Sequence, residues 1–321
     1  MLAMCLLKTL ITPFPRRNKI MNYSDMIKQE NTDSQYQPWS QYRKTLTDYI
    51  SKGLASNIKK GSWIAIWGAG GCNDIDVVTL SKDYKLLLID QDVEKLTQVR
   101  KNLGLNSDNC KVADVGFWSI TDDDYEMFQA LLMDKAPMCD IEKYFQDLID
   151  NMSQPINLTE YKVECSVVVG LASQLNARFA AIMQLNKENI KHLDMDRINA
   201  ILNHMNSLAT ERLYISMRQL TTGMVITGYE VDVFYDLESA EQNQEILEEV
   251  LDYGTKGGRF LSGNENNYIK VAGNEYWHSL IYKTILMDKL EDIGSCKVIN
   301  WPFSENKFYN MLIVSLVCVI N

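Results

Sequence analysis

The chain has 321 residues, 46% of them hydrophobic and 23% charged, which is enough apolar material for one large α/β domain with additions. A net charge of −10 argues against a generic nucleic-acid binder, which needs a basic face to displace counterions from phosphates. Seven scattered cysteines, never spaced as CxxC, and three distant histidines offer no metal site and read as the reduced thiols of a cytoplasmic protein.

Residues 1–38 read as a flexible N-terminal arm. Its apolar start is interrupted by Lys8 and followed by Arg16 and Arg17, the reverse of a signal peptide's order. From Trp39 to Ile58 apolar residues recur at helical spacing (Tyr42, Leu46, Tyr49, Ile50), and Lys59-Lys60-Gly61 ends the helix. A short apolar run, Trp63 to Trp67, then leads directly into Gly68-Ala69-Gly70-Gly71-Cys72-Asn73-Asp74. The next strand, Lys85 to Ile89, is apolar on both faces, as a parallel strand covered on both sides must be. Asp90 ends it, and Asp92 caps a helix with a stripe of Val93, Leu96, Val99 and Leu103.

Cys110 to Asp114 is a weaker third strand. A helical insertion over residues 119–160 follows, with one helix opening at Asp122-Asp123-Asp124 and a second after Pro137. It is expected either to roof the ligand-binding end of the sheet with Phe117, Trp118 and Phe128 or to be a packing extension. Strands at Cys165–Val169 and Met224–Thr227 flank a long helical stretch from Asn189 to Leu220. Helices are then expected around Ile246–Leu251 and Trp277–Leu290. Near the end, Lys297 to Trp301 and Phe308 to Val319 read as two strands joined through Pro302–Lys307. So short a loop requires an antiparallel pair. The final apolar run is about half the length of a membrane helix, so no membrane anchor is expected.

Strands alternating with helices imply a parallel sheet with right-handed crossovers. At the first strand's end, glycines let the backbone turn sharply and approach a ligand, with a helix N-terminus expected directly behind them. A purely structural turn would use the same residues. Asp90 stands 22 positions after Gly68, where a carboxylate can accept hydrogen bonds from both hydroxyls of a ribose. With Asp92 as the helix cap, Asp90 is left available for that role. Together these features point to an adenosine-containing ligand. A nicotinamide-binding turn prefers a third glycine where this chain has Asn73.

On these residues the chain resembles class I S-adenosyl-L-methionine (SAM)-dependent methyltransferases. Within them it is similar to a poorly characterised bacterial group carrying Cys-Asn-Asp after the glycine turn and Ser-Gln-Leu after the fourth strand. Here these are Cys72-Asn73-Asp74 and Ser173-Gln174-Leu175. The resemblance implies a Rossmann-like α/β fold: a seven-stranded, mostly parallel sheet with an antiparallel last strand. It implies SAM as cofactor, its methionyl part held by Gly68, Ala69, Gly70, Gly71 and Cys72. Asp90 would take the ribose, with Gln91 beside it among the cofactor-binding residues; Asp114 and Val115 would flank the adenine, and Gly170 and Leu171 would line the cofactor near the transferable methyl. Two departures stand out: Trp67 replaces an acid before the first glycine, and an apolar run ending Gly170-Leu171 replaces a polar fourth-strand motif.

The activity expected is methyl transfer to a small or medium-sized acceptor, a small molecule being the expected partner. SAM carries its own leaving group, so no fixed catalytic residue is required. A non-catalytic SAM binder on the same scaffold is the alternative. Glu230 and Asp232, read as lying just beyond the fifth strand, are either acids at the end where α/β ligands bind or solvated loop acids. His192, His204 and His278 read as ordinary helix residues, and Trp39 and Tyr42 as core with an option on covering the cofactor.

Overall fold

A computed structural model describes residues 37–154, 156, 160–171, 174–256 and 292–317. The expectations on the N-terminal arm before residue 37, Ser173, His278 and the helix at 277–290 lie outside the described residues.

Helix α1 (Ser40–Asn57) buries Tyr42, Leu46, Ile50 and Leu54, a spacing of four that keeps one face on the sheet. Strands β1 (Trp63–Trp67), β2 (Lys85–Ile89) and β3 (Cys110–Ala113) alternate with α2 (Val77–Leu80) and α3 (Val93–Asn102). Helices α4 (Asp122–Met133) and α5 (Met138–Met152) precede β4 (Val163–Val169). Helices α6 (Ala177–Leu185) and α7 (Met195–Leu220) lead to β5 (Thr221–Phe234), α8 (Leu237–Lys256), β6 (Asp292–Ser304) and β7 (Lys307–Val317).

Among the described residues, seven strands form one sheet in the order β3-β2-β1-β4-β5-β7-β6. Strands β1 to β5 pair in parallel. Strand β7 runs antiparallel to both β5 and β6. This is the Rossmann-like sheet of the methyltransferase type. Alternation along the strands sends Ile64, Ile66, Leu86, Leu88, Val167, Met224, Ile226 and Ile313 into the same core as the α1 stripe.

Four boundaries differ from the sequence expectation. Strand β5 continues past Thr227 to Phe234, because β7 pairs with it along its length; Glu230 and Asp232 therefore lie within the strand, opposite Met311 and Asn310, with a bulge between them. Strand β6 takes in Pro302–Ser304 and leaves Glu305 and Asn306 as the turn, since Pro302 on the sheet's outermost strand interrupts no inner ladder. Helix α7 starts at Met195 and not Asn189, and the residues between are turns. The helix behind the glycine turn is one short turn, Val77–Leu80, capped by its own Asp76.

The described chain divides into two compact units, one comprising 116–156 and 172–213 and the other holding the sheet. The first packs around its own aromatic centre. Phe179 of α6 meets Tyr125 and Phe128 of α4 at 4.8 and 5.3 Å and Phe145 of α5 at 5.5 Å. Trp118 donates its indole N–H to the Tyr125 hydroxyl at 2.9 Å, and Phe128 is fully buried. Both side chains thus belong to the packing of that helical unit. Among the described residues, no helix is long and apolar enough to cross a membrane.

Candidate functional site

The site is read at the carboxyl ends of β1, β2 and β4, all within the sheet unit. Gly68 follows Trp67 with φ +66°, and a Cβ there would stand 2.8 Å from Leu171 Cδ1. Only glycine allows both that backbone and that contact. Gly70 (φ +46°) is different: the nearest atom to a Cβ on it would be the Gly68 carbonyl oxygen at 3.9 Å, which leaves its face open to a ligand. The turn is pinned by Ala69 N–H to Ile89 O at 3.1 Å and Cys72 N–H to Ala69 O at 2.7 Å.

Asp90 joins this turn to β2. One carboxylate oxygen accepts the Gly70 N–H at 3.0 Å, and the other accepts the Asp92 N–H at 3.2 Å. Asp92 caps α3 through the Lys95 N–H, as expected. Asp90 is therefore a structural acceptor as well as a candidate ribose ligand; a half-exposed carboxylate has further lone pairs for both duties. Gln91 and Asp114 are exposed and Val115 is buried, with the Asp90 N–H bonded to Ala113 O at 3.2 Å beside them. Gly170 (φ +64°) donates its N–H to Gly228 O at 3.0 Å, and Leu171 packs over Gly68.

Cys72 occupies the third glycine position with φ +54°, a left-handed backbone unusual for a side-chain-bearing residue. Burial, helped by the neighbouring carboxylate of Asp74, pushes its thiol far above the usual range, which leaves it unreactive. Trp67 is sealed in the sheet, donating its indole N–H to Ser166 Oγ at 3.0 Å, and Ser166 shares a hydrogen bond of 2.6 Å with Thr221 Oγ1. This explains the departure at that position: the side chain is spent on the β1–β4–β5 interior.

Sequence reasoning missed how α1 holds the loop after the glycines. Buried Arg43 donates to Asn73 O at 2.8 Å, and Thr47 Oγ1 accepts the Asp76 N–H at 2.9 Å. Tyr42, one residue before Arg43, feels the charges of both Asp74 and Glu230, and burial raises its hydroxyl well above the usual range. Burial likewise lifts Asp74 to about 6, against the opposing pull of local backbone N–H groups and Arg43. Arg43 and Thr47 lie one helical turn apart on the same helix as the apolar stripe, a polar pair that offers no signal until the loop is placed against it.

An aromatic cluster lies at this end of the sheet. Trp301 of β6 stacks on Tyr42 at 5.6 Å and meets Trp39 edge-on at 5.2 Å. Trp39 and Tyr42 thus serve as core. His192 and His204 are exposed on the helical unit, where His192 Nε2 bonds Ala136 O at 3.0 Å. Among the described residues, no group of three or more His, Cys, Asp or Glu side chains is gathered as for a metal ion.

No protein-family profile matches the chain. No characterised protein matches it in sequence. Among solved structures, it is similar to the N-methyltransferase NodS of Bradyrhizobium japonicum WM9 at 10% identity and a TM-score of 0.37, over 88% of this chain and 98% of that one. It is also similar to the magnesium protoporphyrin IX methyltransferase of Synechocystis PCC 6803 at 7% identity and a TM-score of 0.39, over 93% and 100%. A third likeness, to the [4+2]-cyclase SpnF, has 11% identity and a TM-score of 0.33, over 86% and 81%. At such scores the likenesses decide nothing about activity.

Proposed function

We propose that this protein binds SAM at the carboxyl ends of β1 and β2 and transfers its methyl group to a small or medium-sized acceptor. One observation carries the reading: the Asp90 carboxylate is tied at 3.0 Å to the Gly70 N–H, which joins a glycine turn with an open face to an acid at the next strand's end. In a sheet with a reversed seventh strand, that pairing suits an adenosine ligand whose ribose meets Asp90 and whose remaining length crosses the turn. The cofactor would supply the reactive methyl and its leaving group. The residues of this chain would bind and orient it and exclude water.

Saturation binding measured by thermal shift tests the cofactor. SAM or S-adenosylhomocysteine should raise the melting temperature, whereas a shift from NAD(P)H alone would overturn the assignment. Radiolabelled methyl transfer to a cell extract tests the activity. A second reading, a non-catalytic SAM binder, draws on Trp67 being held in the sheet interior by Ser166, where an acid is usual in the family it resembles. Binding without transfer would favour it.

A further inference from the structure

Among the acids that border the glycine turn, Asp90 and Asp76 have structural duties. Asp90 accepts the Gly70 and Asp92 N–H groups, and Asp76 caps α2 through the Thr79 N–H at 3.0 Å. Asp74 differs. Its carboxylate draws on the backbone N–H groups of its own residue and Ile75, which leaves lone pairs for a further donor. Its place is fixed from both sides, since α1 holds Asn73 through Arg43 at 2.8 Å and Asp76 through Thr47 at 2.9 Å.

The surroundings form a crevice and not a sealed core. Gly68, Gly70, Gly71, Asp74 and Asp90 all keep partial solvent exposure, while Ala69, Cys72, Asn73 and Ile75 between them are buried. A Cβ on Gly70 would meet nothing nearer than 3.9 Å, so the turn itself carries the open face. Cys72 feels the charges of Asp74 and Asp90 together, so both carboxylates border that turn. They stand on different sides of it. Asp90 ends β2, whereas Asp74 lies toward α1, where the Tyr42 hydroxyl feels its charge together with that of Glu230 on β5. A ligand with its ribose at Asp90 thus runs its far end across the turn toward Asp74. Burial outweighs the opposing pull of Arg43 on Asp74, the mark of a carboxylate short of positive charge.

Resting on the SAM-binding reading, we propose that Asp74 binds the α-ammonium of the cofactor's methionyl end and makes the site select ligands that carry an amino group there. The ammonium donates to the carboxylate in a charge-assisted hydrogen bond, which a partly buried site strengthens.

The test compares S-adenosylhomocysteine with its deamino analogue, which keeps the nucleoside, the sulfur and the carboxylate but has hydrogen in place of the ammonium. Calorimetric titration of the whole protein at neutral pH should show S-adenosylhomocysteine binding about tenfold more tightly. D74N should erase that preference without lowering affinity for the analogue. If D74N fails to fold, the wild type gives an independent reading. Its preference should fade as pH drops through about 6, because a protonated Asp74 no longer attracts a cation. The other groups facing Asp74 leave that window to it. Tyr42 and Cys72 are pushed up by burial and stay neutral there, Arg43 is a guanidinium, and Asp90 meets a ribose that both compounds share. Equal affinity of the wild type for both compounds at neutral pH, or a preference that survives D74N or persists below pH 6, overturns the inference. Binding of neither compound overturns the SAM-binding reading itself, and this one with it.

Discussion

At Asp90 one carboxylate serves the fold and, in the proposed function, the ligand. Asp90→Ala removes the acceptor of the Gly70 and Asp92 N–H groups together with the proposed ribose contact. It should weaken S-adenosylhomocysteine binding by about 1.5–3 kcal/mol and lower the melting temperature as well, measured by calorimetry and thermal unfolding. Unchanged binding would leave Asp90 purely structural. Asp74 gives a pH signature. Its folded value of about 6 lies above the ordinary carboxyl value of 3.8, so between these the folded state holds the proton more tightly than the unfolded one. Stability from this group is therefore greatest at low pH and is lost as pH rises from about 4 to 6. In urea titrations across that window, Asp74→Asn should flatten the decline; parallel curves for variant and wild type would show that Asp74 does not titrate there. The two glycines should also separate. Gly68→Ala meets Leu171 at 2.8 Å in a left-handed backbone and should cost about 1–3 kcal/mol of stability. Gly70→Val adds its bulk on the open side of the turn, where it should cost ligand affinity.

Helix α1 acts as a clamp on the glycine loop, an effect of packing and not of proximity in sequence. Arg43→Met keeps the aliphatic stem but leaves the Asn73 carbonyl without this donor, and should cost about 1–3 kcal/mol in denaturant unfolding while also loosening ligand binding. At the other end of the chain, β7 is an inner strand paired on both sides, with Met311, Leu312, Ile313, Val314 and Leu316 buried. Ending the chain at Asn310 strips β5 of its partner and removes side chains worth about 1.5–3 kcal/mol each, so the truncated protein should be insoluble. A soluble, folded truncation would contradict the pairing. Glu230 belongs to this scale as well: the long β5–β7 ladder carries the strand past Thr227 and so sets the carboxylate beside Gly170.

Across the whole molecule, the alternation of apolar runs with helical stripes made the order of elements readable. Doubly apolar β1, β2 and β4 can only be inner strands, and the two-residue turn at Glu305 and Asn306 can only join antiparallel neighbours. The glycine turn and Asp90 were legible for the same reason, because their residue types answer to local backbone demands. Boundaries were harder. The polar Glu230 and Asp232 look like the end of a strand until β7 supplies its ladder, and residues from Asn189 to Leu193 look helical until their turns are seen. The sequence by itself determined the strand-and-helix order, the reversed pair at the end and the position of the glycine turn, since each follows from periodicity, turn length or a φ that few residues adopt. Only the tertiary structure decided that Asp90 bonds Gly70, that Trp67 belongs to the interior, that Arg43 and Thr47 hold the loop, and that Glu230, Tyr42 and Trp301 converge beside Gly170. These partners lie from 20 to more than 250 positions apart, and no local pattern encodes which distant strand or helix will face a given side chain.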